Sequence, residues 1–236
     1  NCNAWEENLK HIAIIPARAG SKSILNKNLV KLDNKTSITE MAIDMALDVK
    51  FFDKVILSTD IEYFLDIYER KCQVYKRPAR LCEDETLMKD VIIDVINGLP
   101  YDQIKNKKNY IWLLQPTSPF RMPKDFHKIR ELVTKEKYSS VISLKNVESF
   151  HPSRMYTQYN EKLYPLKRNN FFNKQDLPDV FIRNGAFYVF NIGEFIEHQT
   201  FYMNPCYGYK MPSSRSINID GPDDLLLAQA YYKKVR

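Results

Sequence analysis

Glycine is scarce, with 6 among 236 residues, and none of it falls into a GxGxxG or GxxxxGKS/T pattern. Neither widespread phosphate-cradling fingerprint is therefore present. The 4 cysteines, Cys2, Cys72, Cys82 and Cys206, form no CxxC pair, and no Cys/His set has zinc-finger spacing. Free thiols in a reducing cytoplasm are the simplest reading. No apolar run reaches membrane-spanning length, so no membrane partner is expected. Residues 1–10 hold Trp5, Glu6 and Glu7 but no apolar core of a signal peptide, and are read as a lead-in outside the fold. Charge is nearly balanced, with 35 Lys plus Arg against 29 Asp plus Glu and a net +6 spread along the chain. No tight basic cluster suggests a nucleic-acid partner. The histidines, His11, His127, His151 and His198, join no Ser/His/Asp or Cys/His set, and each reads as structural or exposed.

What is present is a regular alternation. Apolar residues make up 44% of a chain long enough for one large domain. Residues 11–15 read as a buried parallel strand ending at Pro16. Ser37-Ile38-Thr39-Glu40 is a capping box opening a helix to about Lys50. A strand at 55–57 precedes a helix at 61–70, which Thr59 or Asp60 could cap. A short strand at 73–75 and a helix at 86–97 stopped by Gly98 follow. Residues 110–114 form the strongest central-strand candidate. Pro123 starts a helix reaching about Lys137, and 140–144 is another strand. After 146–183, which shows no clear period, strands are expected at 185–190 and 217–219 and a helix at 222–234. Alternating strands and helices predict an α/β sheet with parallel strands. Ligands of such sheets sit outside the C-terminal strand ends, where the polar segments 16–28, 58–60 and 115–121 all fall.

Those segments carry the candidate chemistry. Arg18-Ala19-Gly20-Ser21-Lys22 puts two cations and a hydroxyl beside a small-residue turn, which suits phosphate oxygens. Alone it reads equally well as a solvated basic turn; Lys27-Asn28 raises the odds of an anion site. Gln115-Pro116-Thr117-Ser118-Pro119-Phe120-Arg121 is a stiff loop offering amide, hydroxyl and guanidinium groups, and by itself an ordinary rigid loop. Arg77-Pro78 is a weaker signal, and Glu83-Asp84-Glu85 reads first as a solvated acidic turn. In a strand, Asn218 and Asp220 would share one face and could hold a hard cation. Capping of the helix at Pro222 is the simpler role for Asp220 alone.

Taken in order, Ile15-Pro16-Ala17-Arg18-Ala19-Gly20-Ser21-Lys22, Lys27-Asn28, Leu57-Ser58-Thr59-Asp60, Arg77-Pro78, the 114–121 loop, Arg183-Asn184-Gly185-Ala186 and Asn218-Ile219-Asp220 resemble the CMP-sialic acid synthetase family, from about His11 to Lys234. The resemblance implies a Rossmann-like α/β nucleotidyltransferase with a core of 11–145 and 184–236. It also implies an inserted dimerisation arm at 146–183 and a homodimer. Its substrates would be CTP and an acidic 2-keto sugar, joined with release of pyrophosphate. Ala17, Arg18, Ala19, Gly20, Ser21 and Lys22 would meet the nucleotide phosphates. Asn28, Arg77 and Asp84 would lie about the cytidine end. Gln115, Thr117, Ser118, Arg154 and Arg183 would face the sugar, and Asp220 with Asn218 would hold Mg²⁺. Arg18, Lys22 and Asp220 are the expected catalytic residues. The chain departs from the family pattern at Ala19 and Ser23, where Gly is usual, at Leu25, where Pro is, and at Asn218, where many members carry Asp. The alternatives are a Kdo-using relative and a homologue that binds nucleotide or sugar without turnover.

Overall fold

The computed structural model describes residues 9–68, 71–100, 106–167, 173 and 177–235. The lead-in up to residue 8, the end of the expected 61–70 helix and much of 168–176 lie outside the described residues. The apolar run at the start forms β1 (His11–Ala17), buried along its whole length. On its two sides run β2 (Lys54–Thr59) and β4 (Tyr110–Leu113), both parallel to it, and β3 (Gln73–Lys76) lies parallel outside β2. With β5 (Ser140–Asn146), β8 (Phe181–Asn191) and β9 (Cys206–Lys210), the sheet has seven strands in the order β3-β2-β1-β4-β8-β5-β9.

Helices cover both faces, which is why the central strands are apolar without alternation. Ala13, Ile15, Leu57 and Trp112 pack against Ala42 and Ile43 of α1 (Ile38–Asp48), Phe64 of α2 (Glu62–Ile67), and Phe126 and Ile129 of the long helix that follows β4. Ile12, Ile14, Ile56 and Ile111 face α3 (Met88–Asn97) on the other side. The capping box of α1 is formed as expected: Ser37 Oγ accepts from Glu40 N at 3.2 Å and the Glu40 carboxylate from Ser37 N at 2.6 Å. The helix after β4, α4 (Pro123–Thr134), begins at the expected proline. Lys137, placed in that helix from sequence, has φ +58° and lies beyond its end.

Two expectations are corrected. The sheet is not wholly parallel: β8 (Phe181–Asn191) runs antiparallel to both β4 and β5 (Ser140–Asn146). Among the described residues no crossover α-helix separates β5 from β8, and a strand returning without one pairs in the opposite direction. Residues 181–183, read as insert, are its first residues. The strand expected at 217–219 is absent. The edge beside β5 is taken by β9 (Cys206–Lys210), which the sequence reading missed, and Pro212 with a 3₁₀ turn at Ser213–Arg215 then leads the chain off the sheet. Ile219 makes one backbone bond instead, its N–H donating to Thr117 O at 2.8 Å. His198, read from sequence as lying in a helical stretch, ends α5 (Ile192–His198). The reading missed a hairpin, β6 (Tyr156–Tyr159) with β7 (Lys162–Pro165), whose residues are all exposed. The chain closes with α6 (Pro222–Val235).

His11 is structural, as its lack of catalytic company suggested. Trp112 Nε1 donates to His11 Nδ1 at 3.1 Å, which requires an imidazole unprotonated on that nitrogen. Burial, with help from the Arg130 charge and against Asp53, lowers its pKa from 6.5 to about 4. Between those values the unfolded chain binds a proton that the folded chain refuses, so stability falls as pH drops through the window. A shift of this size is worth on the order of 3 kcal/mol. Urea unfolding of wild type and His11→Gln should therefore differ most near neutrality and converge toward pH 4. A pH-independent gap would contradict this role.

Candidate active site

The parallel strands deliver their following loops to one edge, and a cleft opens there. The loop after β1 turns at Gly20, whose φ of +70° suits a residue without Cβ. Ala19 N–H donates to Asp60 Oδ1 at 2.7 Å, strapping the loop to the end of β2. Asp60 is thus not a helix cap; Thr59 Oγ1 accepts from Ile61 N at 3.0 Å. Asn28 Nδ2 donates to Arg18 O at 2.8 Å, and Asn28 O accepts from Thr39 Oγ1 at 2.7 Å. The loop is held at both ends and projects its side chains between them.

An inner cavity of about 160 Å³ brings together Arg18, Ser21, Lys27, Asn28, Arg77 and Gln115, with Thr117 beside them. Arg77 is buried, its Nη2 donating to Ser58 O at 2.9 Å, and burial lowers its pKa against the pull of Cys82 and Asp60. A wider outer cavity of about 450 Å³ continues past Arg18 to Ala19, Gly20, Lys22, Asp60 and Asp84. Asp84 does not face the inner cavity. Its Oδ1 pairs with Arg18 Nη2 and its Oδ2 with Lys22 Nζ at 2.7 Å. Hydrogen bonds from Lys22 and Arg18 hold its carboxyl below the usual carboxylate range.

The 115–121 loop is less open than its composition suggested. Arg121 offers no guanidinium to the cleft. It is buried, with Nε donating to Ala186 O at 2.6 Å and Nη2 to Gln115 O at 2.7 Å. Desolvation brings its pKa down to about 9, with the Asp125 charge acting the other way. Ser118, expected beside a sugar, is only 1% exposed, and its Oγ lies 3.0 Å from Asn184 O and 3.3 Å from Asn218 Oδ1. It supports the floor from beneath. Asn184 is buried too, bonded to Ser143 Oγ at 2.6 Å and Ser216 Oγ at 2.8 Å. Ala17 is likewise buried in β1. Arg154, on a 3₁₀ turn, and Arg183, on β8, are exposed, and neither lines the two cavities.

Asp220 is where the geometry departs from the simplest sequence reading. Asp224 Oδ2 accepts from Gly221 N at 2.8 Å and Asp220 N at 3.0 Å, so Asp224 caps the start of α6. The Asp220 carboxylate is left 70% exposed, with Lys27 Nζ at 3.6 Å from Oδ1. Lys27 Nζ also donates to Asp220 O at 3.1 Å. Asn218 turns its Nδ2 to Asp220 Oδ2 and its Oδ1 to Ser118. Its oxygen therefore faces away from the carboxylate it was expected to assist. Among the described residues no three His, Cys, Asp or Glu cluster as a metal cage. One exposed carboxylate nevertheless fits Mg²⁺, which commonly takes one or two carboxylates and completes its shell with phosphate oxygens and water.

The cytidylyltransferase family profile matches residues 12–208, which includes every strand of the main sheet through most of β9. This chain belongs to the cytidylyltransferase family. Over 224 residues it is 30% identical to an N-acylneuraminate cytidylyltransferase of Streptococcus agalactiae serotype V, covering 92% of this chain and 52% of that relative. The chain thus spans about half the length of the first curated relatives it matches. A CMP-N,N'-diacetyllegionaminic acid synthase of Legionella pneumophila is 29% identical over 94% of this chain and 95% of that one. A solved CMP:2-keto-3-deoxy-manno-octonic acid synthetase complexed with CTP superposes with TM-score 0.67 at 14% identity, covering 96% of this chain and 100% of that one. The last likeness shows the fold.

The cleft floor turns on Gly185, at φ +77°. A Cβ there would lie 2.9 Å from Ser118 Oγ and 3.1 Å from Gln115 Oε1. Gly185→Ala should cost about 2 kcal/mol in urea unfolding, from left-handed strain plus the close contact. Unchanged stability would show that the floor has room to relax.

Proposed function

We propose that this cytidylyltransferase transfers CMP from CTP to the anomeric hydroxyl of a nonulosonic acid of the sialic, legionaminic or pseudaminic type and releases pyrophosphate. The observation that carries the reading is the meeting of Arg18, Ser21, Lys27, Asn28, Arg77 and Gln115 in one cavity at the strand ends, with Lys22 in the adjoining one. The named relatives act on nonulosonic acids, at 25–31% identity, whereas the likeness to the Kdo-type enzyme is one of fold. The nonulosonic reading is therefore preferred over Kdo.

The sugar hydroxyl attacks the α-phosphorus of CTP and pyrophosphate leaves, a displacement that depends on in-line positioning and charge neutralisation. Arg18 and Lys22 take the triphosphate, with Ser21 and the Gly20 turn admitting its oxygens. Both cations already hold Asp84, so nucleotide binding exchanges one anion for another. Asn28 and Arg77 border the nucleoside end, and Gln115 with Thr117 faces the sugar. Arg154 and Arg183 lie outside the cavities and would reach a ligand only from its rim. Asp220 would hold Mg²⁺, which neutralises phosphate charge when bound. Asn218 orients that carboxylate through its amide N–H. Lys27, 3.6 Å from Asp220 Oδ1, balances that carboxylate's charge and would be free to meet phosphate oxygens if Asp220 held Mg²⁺.

The β6–β7 hairpin bears exposed Tyr156, Tyr159, Leu163 and Tyr164. The register puts Tyr156 and Leu163 on one face and Tyr159 and Tyr164 on the other; apolar side chains exposed on both faces of one hairpin suit an interaction surface, and a second copy of the chain is the proposed occupant. No helix among the described residues is long and apolar enough to cross a membrane. The free thiols Cys72, Cys82 and Cys206 suit a reducing, cytoplasmic setting.

Pyrophosphate release with CTP and Mg²⁺ should appear with one of N-acetylneuraminic, legionaminic or pseudaminic acid and be absent without sugar. Release with Kdo alone, or with none while CTP still binds, would favour the Kdo-using or binding-only reading. Asp220→Ala should cut turnover far more than CTP affinity, and equal turnover would remove Asp220 from the mechanism. Replacing 156–165 by a short turn should convert dimers to monomers in light scattering. A dimer that survives the change would place the interface elsewhere.

A further inference from the structure

A groove of about 640 Å³, larger than either cavity of the cleft, runs along α4 at the opposite edge of the sheet. Its wall combines α4 with His11, the first residue of β1, whose other end leads into the cleft. The charges in it are uneven. Glu131 is occupied by Lys135 at 3.2 Å and Lys128 at 3.4 Å. Lys124 and Arg130 have no carboxylate partner among the described residues. Arg130 is exposed and lies 5.1 Å over the Phe51 ring, which fixes where its guanidinium stands. The carbonyls ending α4 disfavour an anion, but Lys135 sits beside them and offsets that field.

The second observation is His11 itself. It is 2% exposed, yet it forms part of the groove wall. Trp112 occupies Nδ1, so the proton of the neutral ring sits on Nε2. That N–H has no acceptor among the described residues. A buried donor left without a partner costs about 1–3 kcal/mol, so an acceptor from outside the chain is favoured there. Lys124 and Arg130 stand six residues apart on one helix, about 9 Å along its axis and about 120° around it, so their long side chains flank the groove from two sides.

We propose that this groove is a second ligand site, taking a small polyanion with one acidic group between His11 Nε2–H and Arg130 and another at Lys124. Phosphate and carboxylate groups share the required chemistry, since each accepts charge-assisted hydrogen bonds from a guanidinium and an ammonium. The site is separate from the cleft, so it stands whether or not the proposed transferase reaction does.

The test is imidazole NMR of the full chain near pH 7, with the His11 signals identified by their loss in His11→Gln. Inorganic phosphate probes the Arg130 end and citrate spans the groove. Either should move the His11 ring signals saturably. Arg130→Gln, at an exposed position, should weaken both about ten-fold. Lys124→Gln should weaken citrate and leave phosphate unchanged. Arg18→Gln, which alters the cleft, should leave the His11 response as it is. No saturable His11 shift with either anion, or unchanged affinity in Arg130→Gln, would overturn the proposal.

Discussion

A guanidinium almost wholly removed from water sits beneath the cleft. Arg121 carries its charge at 4% exposure and gives two of its N–H donors to backbone carbonyls, of Gln115 and Ala186. Desolvating a cation costs several kcal/mol unless its donors are satisfied, so the loop after β4 and the strand β8 cannot drift apart cheaply. The nearby Asp125 does not neutralise it fully, because Asp125 is bound by Arg215 through both carboxylate oxygens and by Tyr209. Those contacts in turn tie α4 to the segment that leads to Asn218 and Asp220. Gln115, Gly185 and Asp220 come from three distant parts of the chain, and this buried polar network keeps them in register.

Above that network the cleft's own charges are mutually committed. Arg18 and Lys22 close on Asp84, and Lys27 reaches Asp220. The unliganded protein thus avoids a cluster of bare cations, whose repulsion would strain the β1 loop. An anionic ligand competes with carboxylates already in place, and charge recognition becomes a matter of exchange. Asn218 fits the same economy. A second carboxylate beside Asp220 would need a cation to be tolerated, whereas an amide donates to it.

Much of this was legible from local pattern. β1, β2, β4 and α1 follow from apolar runs and a capping box, signals confined to a few neighbouring residues. The gathering of 16–28 and 115–121 at one edge follows from the direction of parallel strands. What failed depended on distant partners. Ile217-Asn218-Ile219 looks like a strand, but β9 had already filled the edge of the sheet. Arg121 and Ser118 have the composition of ligand-facing residues, and only the approach of β8 buries them. Asp60 follows a strand as a helix cap would, yet Ala19, 41 residues earlier, claims its carboxylate. Capping at Pro222 looked simplest for Asp220, but Asp224, only four residues on, does it.

The reversed strand has a consequence for how such a chain can vary. Because β5 and β8 are antiparallel neighbours, everything between them leaves and re-enters the sheet at one point, where Val147 N–H meets Val180 O at 3.0 Å. The entropic cost of closing a loop grows only slowly with its length. The segment beyond that gate could be lengthened, shortened or exchanged while the sheet, and the cleft at its edge, kept their shape. The fold separates the segment inserted between β5 and β8 from the cleft at the strand ends, and each is free to change at its own pace.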